Sequence, residues 1–147
     1  MSAPEVTMYL PGKVIAKGRP RLTRSGIITP GKTRAYESLL RAKAIDAMEG
    51  REPLAGPLMV KMSVAVLPPE SWSKVKRAAA VAGHILPTVR PDLDNQIKLI
   101  DALNPTKSGF RGVWSDDAQV VRIDASRFYA EAAGILIEVY CVTAELE

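Results

Sequence analysis

An α/β fold of the α+β type, a small mixed sheet of about four strands flanked by about three helices, is the architecture this chain predicts. Three observations point to it. Apolar and polar residues alternate in short runs near the start, the middle and the end. Three stretches between those runs repeat apolar residues at helical spacing. Proline and glycine punctuate the joints between them.

Val6, Met8 and Leu10 alternate with Thr7 and Tyr9, a first strand that Pro11-Gly12 ends. Gly18, Pro20, Gly26, Pro30 and Gly31 then argue for an irregular or hairpin arm. Thr33 reads as the N-cap of a helix to about Met48 that buries Tyr36, Leu39, Leu40 and Ala44, with Gly50 as its stop. Leu58, Val60, Met62, Val64 and Val66 mark a central strand over 58–67, closed by Pro68-Pro69. Residues 71–81 form a short, alanine-rich, basic helix with Gly83 as its C-terminal stop.

The next helix starts around Asp94 or Asn95 and runs to Leu103, where Asn104-Pro105 breaks it. At 100° per residue, Ile97, Leu99, Ile100 and Leu103 share one face, and Asp94, Lys98 and Asp101 fall on the opposite stripe. The stretch 106–112 leads to Trp114. Two final strands, 119–129 and 134–144, read as a hairpin around 130–133. No repeat or linker divides the chain, so residues 1–147 are expected to be one domain.

Apolar content of 47% and charged content of 24% suit a globular protein with a core that needs no disulfide. The single cysteine, Cys141, lies in an apolar alternating run and is expected to be a small core residue. It cannot form an internal bridge, which suits a reducing, cytoplasmic compartment. The N-terminus lacks the basic head and apolar stretch of a signal peptide. The apolar tail 132–142 is interrupted by Glu138 and too short to span a bilayer, so no membrane partner is expected.

The net charge is +4, unevenly spread. No acid occurs between Glu5 and Glu37, where Lys13, Lys17, Arg19, Arg21, Arg24, Lys32 and Arg34 fall. A second acid-free run, 71–91, holds Lys74, Lys76, Arg77, His84 and Arg90. Both could be solvated faces, or could track a polyanion. Lys13, Lys17, Arg19, Arg21, Arg24, Lys74, Lys76 and Arg77 are the candidate DNA contacts, reading backbone shape rather than bases.

Six of the seven aspartates lie between 92 and 124, and no glutamate occurs between Glu70 and Glu131. Two bare carboxylates about 4 Å apart repel by roughly 4 kcal/mol at an effective dielectric near 20. A divalent cation removes that cost. Each piece also has a plain structural reading. Asp92 and Asp94 could cap a helix, Lys98 could pair with Asp94 one turn away, and Asp116-Asp117 could form a turn. Together they offer hard oxygen ligands from two segments beside a lysine, the inventory for Mg2+, with Mn2+ as a substitute. With only His84 and Cys141, a zinc site or a serine triad has no basis, and no phosphate-binding glycine loop is present. Trp72 and Trp114 read as core anchors.

Arg90-Pro91-Asp92-Leu93-Asp94-Asn95 with Lys98, then Trp114-Ser115-Asp116-Asp117-Ala118-Gln119-Val120-Val121, resembles the RusA family of Holliday-junction resolvases. Lys17-Gly18-Arg19-Pro20-Arg21 and Thr29-Pro30 resemble the basic arm of its phage and prophage branch. The resemblance implies Asp92, Asp94 and Asp117 as magnesium-binding catalytic acids and Lys98 as a catalytic lysine. It also implies a homodimer that cuts four-way junctions in a bacterial or phage-infected cell. Lys98 and Asp101 stand closer than in the enteric member, so Asp101 is set one layer behind the ligands. Asp116 is set there too, capping a turn or accepting a proton through a water. The loop 105–112 is longer than in that member. The alternatives are a non-catalytic DNA-binding protein whose acids only cap helices, and a nuclease of forks or flaps.

Overall fold

The computed structural model describes residues 3–16, 21–23, 26–28 and 31–143, with backbone alone for 21–23 and 26–28. Among them, strands β1 (Val6–Pro11), β4 (Leu58–Val66), β5 (Val120–Tyr129) and β6 (Gly134–Cys141) form a mixed sheet in the order β1-β6-β4-β5. A separate ribbon pairs β2 (Arg21–Thr23) with β3 (Gly26–Ile28), the hairpin form of the basic arm. Helices α1 (Gly31–Met48), α2 (Lys74–Val81) and α3 (Leu93–Ile97) complete the fold. The α+β expectation holds.

Strand β4 is central because its alternating apolar residues, Leu58, Val60, Met62 and Val64, are fully buried. It pairs antiparallel with β6 and parallel with β5. The final two strands therefore do not form the hairpin that their short connection suggests. β4 lies between them, and Ala130 donates its N–H to the Val66 carbonyl at 2.9 Å as the chain crosses. The burial patterns explain the order. β6 buries Ile135, Ile137 and Val139, whereas β5 exposes Val121, Arg122, Ile123 and Asp124, which an edge tolerates and a centre does not.

Three details of the local reading change. Helix α1 begins at Gly31, so Thr33 is not its N-cap; Thr33 is buried and its hydroxyl donates to the Ala16 carbonyl at 3.4 Å. Tyr36, Leu40 and Ala44 are buried with Met48, but Leu39 is 57% exposed, because the inward stripe recurs every four residues and misses it. Cys141 is exposed; it has the parity of Val139 but ends the strand, past the packed core.

Helix α2 starts at Lys74, with the Ser73 hydroxyl accepting from Lys76 N–H. It ends in a pair of reverse bonds, Gly83 N–H to Ala80 O and His84 N–H to Ala79 O, and Gly83 takes φ +92° to close them. Trp114 is fully buried, as an anchor should be. Trp72 is half-buried, edge-on to Tyr129 at 5.5 Å, with the Lys76 ammonium 4.1 Å above its ring. No helix among the described residues is long and apolar enough to cross a membrane.

Candidate active site

The segment from Leu93 to Leu103 changes pitch. It is α-helical through Ile97, then tightens into a 3-10 turn over Lys98–Leu103. A 3-10 helix repeats every three residues, so Lys98 and Asp101 fall in line there, and Asp94 lies one α-turn before Lys98. The polar stripe read from the sequence therefore survives the change of pitch. Asp94 and Lys98 are exposed and Asp101 half-buried, while Leu99, Ile100, Ala102 and Leu103 are buried on the other side.

Asp92 occupies the N-cap of α3, yet its side chain makes no capping bond. Its nearest partner is Arg90, at 3.9 Å and 90% exposed, too far and too solvated to hold it. No side-chain hydrogen bond or ion pair of Asp94 occurs among the described residues. Lys98 does not pair with Asp94; its Nζ donates to Asn95 Oδ1 at 3.3 Å. Arg127, from edge strand β5, fixes the approach to this segment. Its Nη1 donates to the carbonyls of Val89 at 2.7 Å and Pro91 at 2.6 Å, just before Asp92.

The second aspartate block is built differently. Asp116 caps a short 3-10 turn, Asp117–Gln119, in a complete capping box. Its Oδ1 accepts from Ala118 N–H at 2.8 Å. Gln119 Oε1 accepts from the N–H groups of Ser115 and Asp116, and its Nε2 donates to the carbonyls of Leu54 and Gly56. Asn104, just past the end of the Leu93–Leu103 segment, ties that end to the second block. Its Oδ1 accepts from the Trp114 indole N–H at 2.5 Å, and its Nδ2 donates to Asp117 Oδ2 at 3.3 Å. Gly112 is required here: at φ +90° a Cβ would run into the Trp114 carbonyl and Pro105.

Asp117 therefore sits beside the far end of the Leu93–Leu103 segment, whereas Asp92 and Asp94 sit at its start. At 1.5 Å per α-helical and 2.0 Å per 3-10 residue, Asp94 and Asn104 are roughly 18 Å apart along the axis. No group of three or more Asp, Glu, His or Cys side chains among the described residues is gathered closely enough to hold a metal ion. The structure thus places the three acids along one helical segment and does not bring them into a closed cage.

The model of the family described as Endodeoxyribonuclease RusA matches residues 11–140, which span the arm, both aspartate blocks and the whole of β4 and β5. This chain belongs to the RusA family. Membership carries the family's activity in its coarse form, endonucleolytic cleavage of Holliday-junction DNA. Along nearly its whole length the chain is also similar to a Bacillus subtilis (strain 168) protein named Uncharacterized protein YqaN, 31% identical over 153 residues that cover 98% of this chain and 100% of that one.

Of the basic residues read as candidate DNA contacts, Lys13, Lys74 and Lys76 are exposed and Arg77 half-buried. Lys17, Arg19 and Arg24 lie outside the described residues, and of Arg21 only the backbone in β2 is described. Sequence reasoning missed Asn104, Gln119 and Arg127, which position the two blocks. Asn104 read only as a helix breaker. Gln119 and Arg127 bond to carbonyls up to 65 residues away, which no local pattern reveals.

Proposed function

We propose that the chain is a magnesium-dependent endonuclease that resolves four-way DNA junctions by paired incisions, with Asp92, Asp94, Asp117 and Lys98 as its catalytic residues. The observation that supports this most is the pair Asp92 and Asp94. Both stand at the head of α3, beside Lys98, with no capping bond or close ion pair to account for them. In a chain of an endodeoxyribonuclease family, exposed carboxylates without a structural partner support a role in meeting cation and phosphate.

The donor set suits magnesium in kind: hard oxygens only. That ion is usually held by one or two carboxylates, with waters and substrate phosphate completing the shell, so a closed three-acid cage is not needed. Asp92 and Asp94, two residues apart at the head of α3, would hold it, and Mn2+ would substitute; Asp117, expected from sequence as a third ligand, lies too far along the segment to share that ion in this arrangement. When bound, it would supply an activated water and charge neutralisation at the phosphate. Lys98, oriented by Asn95, directs its ammonium at the scissile phosphate and steadies the negative charge that develops there. Arg127 holds the Asp92 approach in place, and Asn104 does the same for Asp117. Asp101 continues the Lys98 line and sits behind the reacting groups. The basic arm and the Lys74, Lys76 and Arg77 face grip the DNA backbone.

A four-way junction needs nicks in two opposed strands, and each chain carries one such site. A two-fold homodimer presents that site twice and matches the junction's approximate symmetry. The test is cleavage of a synthetic four-way junction, a fork and a linear duplex side by side, with Mg2+, Mn2+ or EDTA. We expect paired cuts in the junction, with either metal and without EDTA. Preferred cutting of forks would move the substrate, and binding with no metal-dependent cleavage of any DNA would favour the non-catalytic reading.

A further inference from the structure

Away from the aspartates, a cleft of about 480 Å³ opens between the C-terminal half of α1 and the 105–112 loop. Its lining includes Arg41, Arg51, Arg111, Thr106, Ser108 and Phe110, and no carboxylate. Two of the three guanidinium groups are already fixed. Arg51 donates to the carbonyls of Met48 and Glu5, and Arg111 Nη1 donates to both carboxylate oxygens of Glu52, at 2.9 and 2.8 Å. Arg41 is not. Its Nε is buried and has no hydrogen-bond partner among the described residues.

A buried guanidinium N–H without an acceptor is costly, and the deficit here is specifically of an acceptor oxygen. An oxyanion is the complement: arginine's planar fork matches phosphate, and the Thr106 and Ser108 hydroxyls on the facing loop, bonded to each other at 3.1 Å, leave one proton between them as a neutral donor. The loop that forms one wall leads in sequence to Trp114 and Asp117, so the cleft and that end of the site share one stretch of chain. Its walls Ile45, Met48 and Phe110 are apolar, which strengthens a charged contact made between them.

We infer that this cleft binds a backbone phosphate of the DNA substrate other than the scissile one, with Arg41 as the direct contact. The inference rests on the endonuclease reading but concerns binding, so it is tested apart from cleavage. The full chain is titrated onto a four-way junction in EDTA over a salt series, as wild type, Arg41→Gln and Ser108→Asp. The second variant removes no packed side chain; it places a carboxylate on the exposed loop and keeps the test valid should Arg41→Gln fail to fold. Arg41→Gln should weaken binding by roughly tenfold, as for loss of one charged hydrogen-bonding group. It should also flatten the log–log salt slope by about 0.9, one phosphate fewer. Ser108→Asp should weaken binding in the same direction. Unchanged affinity and slope in both variants, with wild type still cutting junctions in Mg2+, would overturn the cleft and leave the endonuclease standing. Weakened binding at unchanged slope would also overturn it, since no phosphate contact would have been lost. Wild type that neither binds nor cuts DNA would overturn both.

Discussion

The two aspartate blocks have similar compositions and opposite structural economies. In the block at 114–119, Asp116 Oδ1 and both ends of the Gln119 amide bond to backbone groups, and Trp114 and Asp117 bond to the Asn104 side chain. Asp116 and Gln119 close a capping box, and Gln119 reaches the carbonyls of Leu54 and Gly56. In the block at 92–98, Asp92 sits at an N-cap without capping, and Lys98 Nζ donates to Asn95 Oδ1 at 3.3 Å. The capping explanation, reasonable for either block from sequence, holds for Asp116 and fails for Asp92. A side chain that the fold does not use is free to meet a ligand. Under the proposed function the first block is the reactive one, and the second holds Asp117 in a fixed frame.

The largest effect that would sharpen this contrast is at Lys98. Lys98→Gln should cut single-turnover junction cleavage by roughly 10²–10³-fold, the range for loss of one charge-stabilising donor, while thermal stability stays within error. A parallel loss of stability would make Lys98 part of the scaffold. Next comes Gln119→Met, which leaves the carbonyls of Leu54 and Gly56 and the N–H groups of Ser115 and Asp116 without this partner. It should lower unfolding free energy by about 1–3 kcal/mol in urea titration. An unchanged midpoint would remove the scaffold from the comparison.

The smallest effect is at Tyr36, which has a polar atom without a partner but in the core. Its hydroxyl is buried and unbonded among the described residues, and burial raises its pKa from 10.0 to about 12. The unfolded chain therefore loses this proton first as pH rises. Stability is full below pH 10 and falls between about pH 10 and about 12. Tyr36→Phe should be neutral or slightly stabilising at pH 7 and should blunt that alkaline fall, measured by denaturation at both ends of the range. A clear loss of stability at pH 7 would show that the hydroxyl has a partner after all.

Much of the site was legible because its signal is local. The spacing of Asp94, Lys98 and Asp101 against Leu99, Ile100 and Leu103 needs only helical periodicity, and it survived the shift to 3-10 pitch. Strand existence was equally local. Strand order was not: a four-residue link between β5 and β6 favours a hairpin, and only the demand of β4 for neighbours on both sides separates them. Leu39 and Cys141 were misread because alternation and period say which residues share a face, not where the core ends. The placement of Asp117 beside Asn104, and the grip of Arg127 on Val89 and Pro91, depend on contacts between distant segments.

The contrast between the blocks rests most directly on removing the same charge from each. Asp94→Asn and Asp116→Asn should be compared for single-turnover cleavage of a four-way junction in Mg2+, with binding and heat denaturation on the same preparations. Asparagine caps about as well as aspartate, so neither change should alter folding. The account predicts that Asp94→Asn abolishes cleavage while keeping or raising junction affinity, because a cation ligand and a repulsive charge are lost together. Asp116→Asn should keep cleavage within about tenfold of wild type, less than the loss of a group that stabilises the reacting phosphate. Near-normal cleavage by Asp94→Asn, or loss confined to Asp116→Asn, would contradict it.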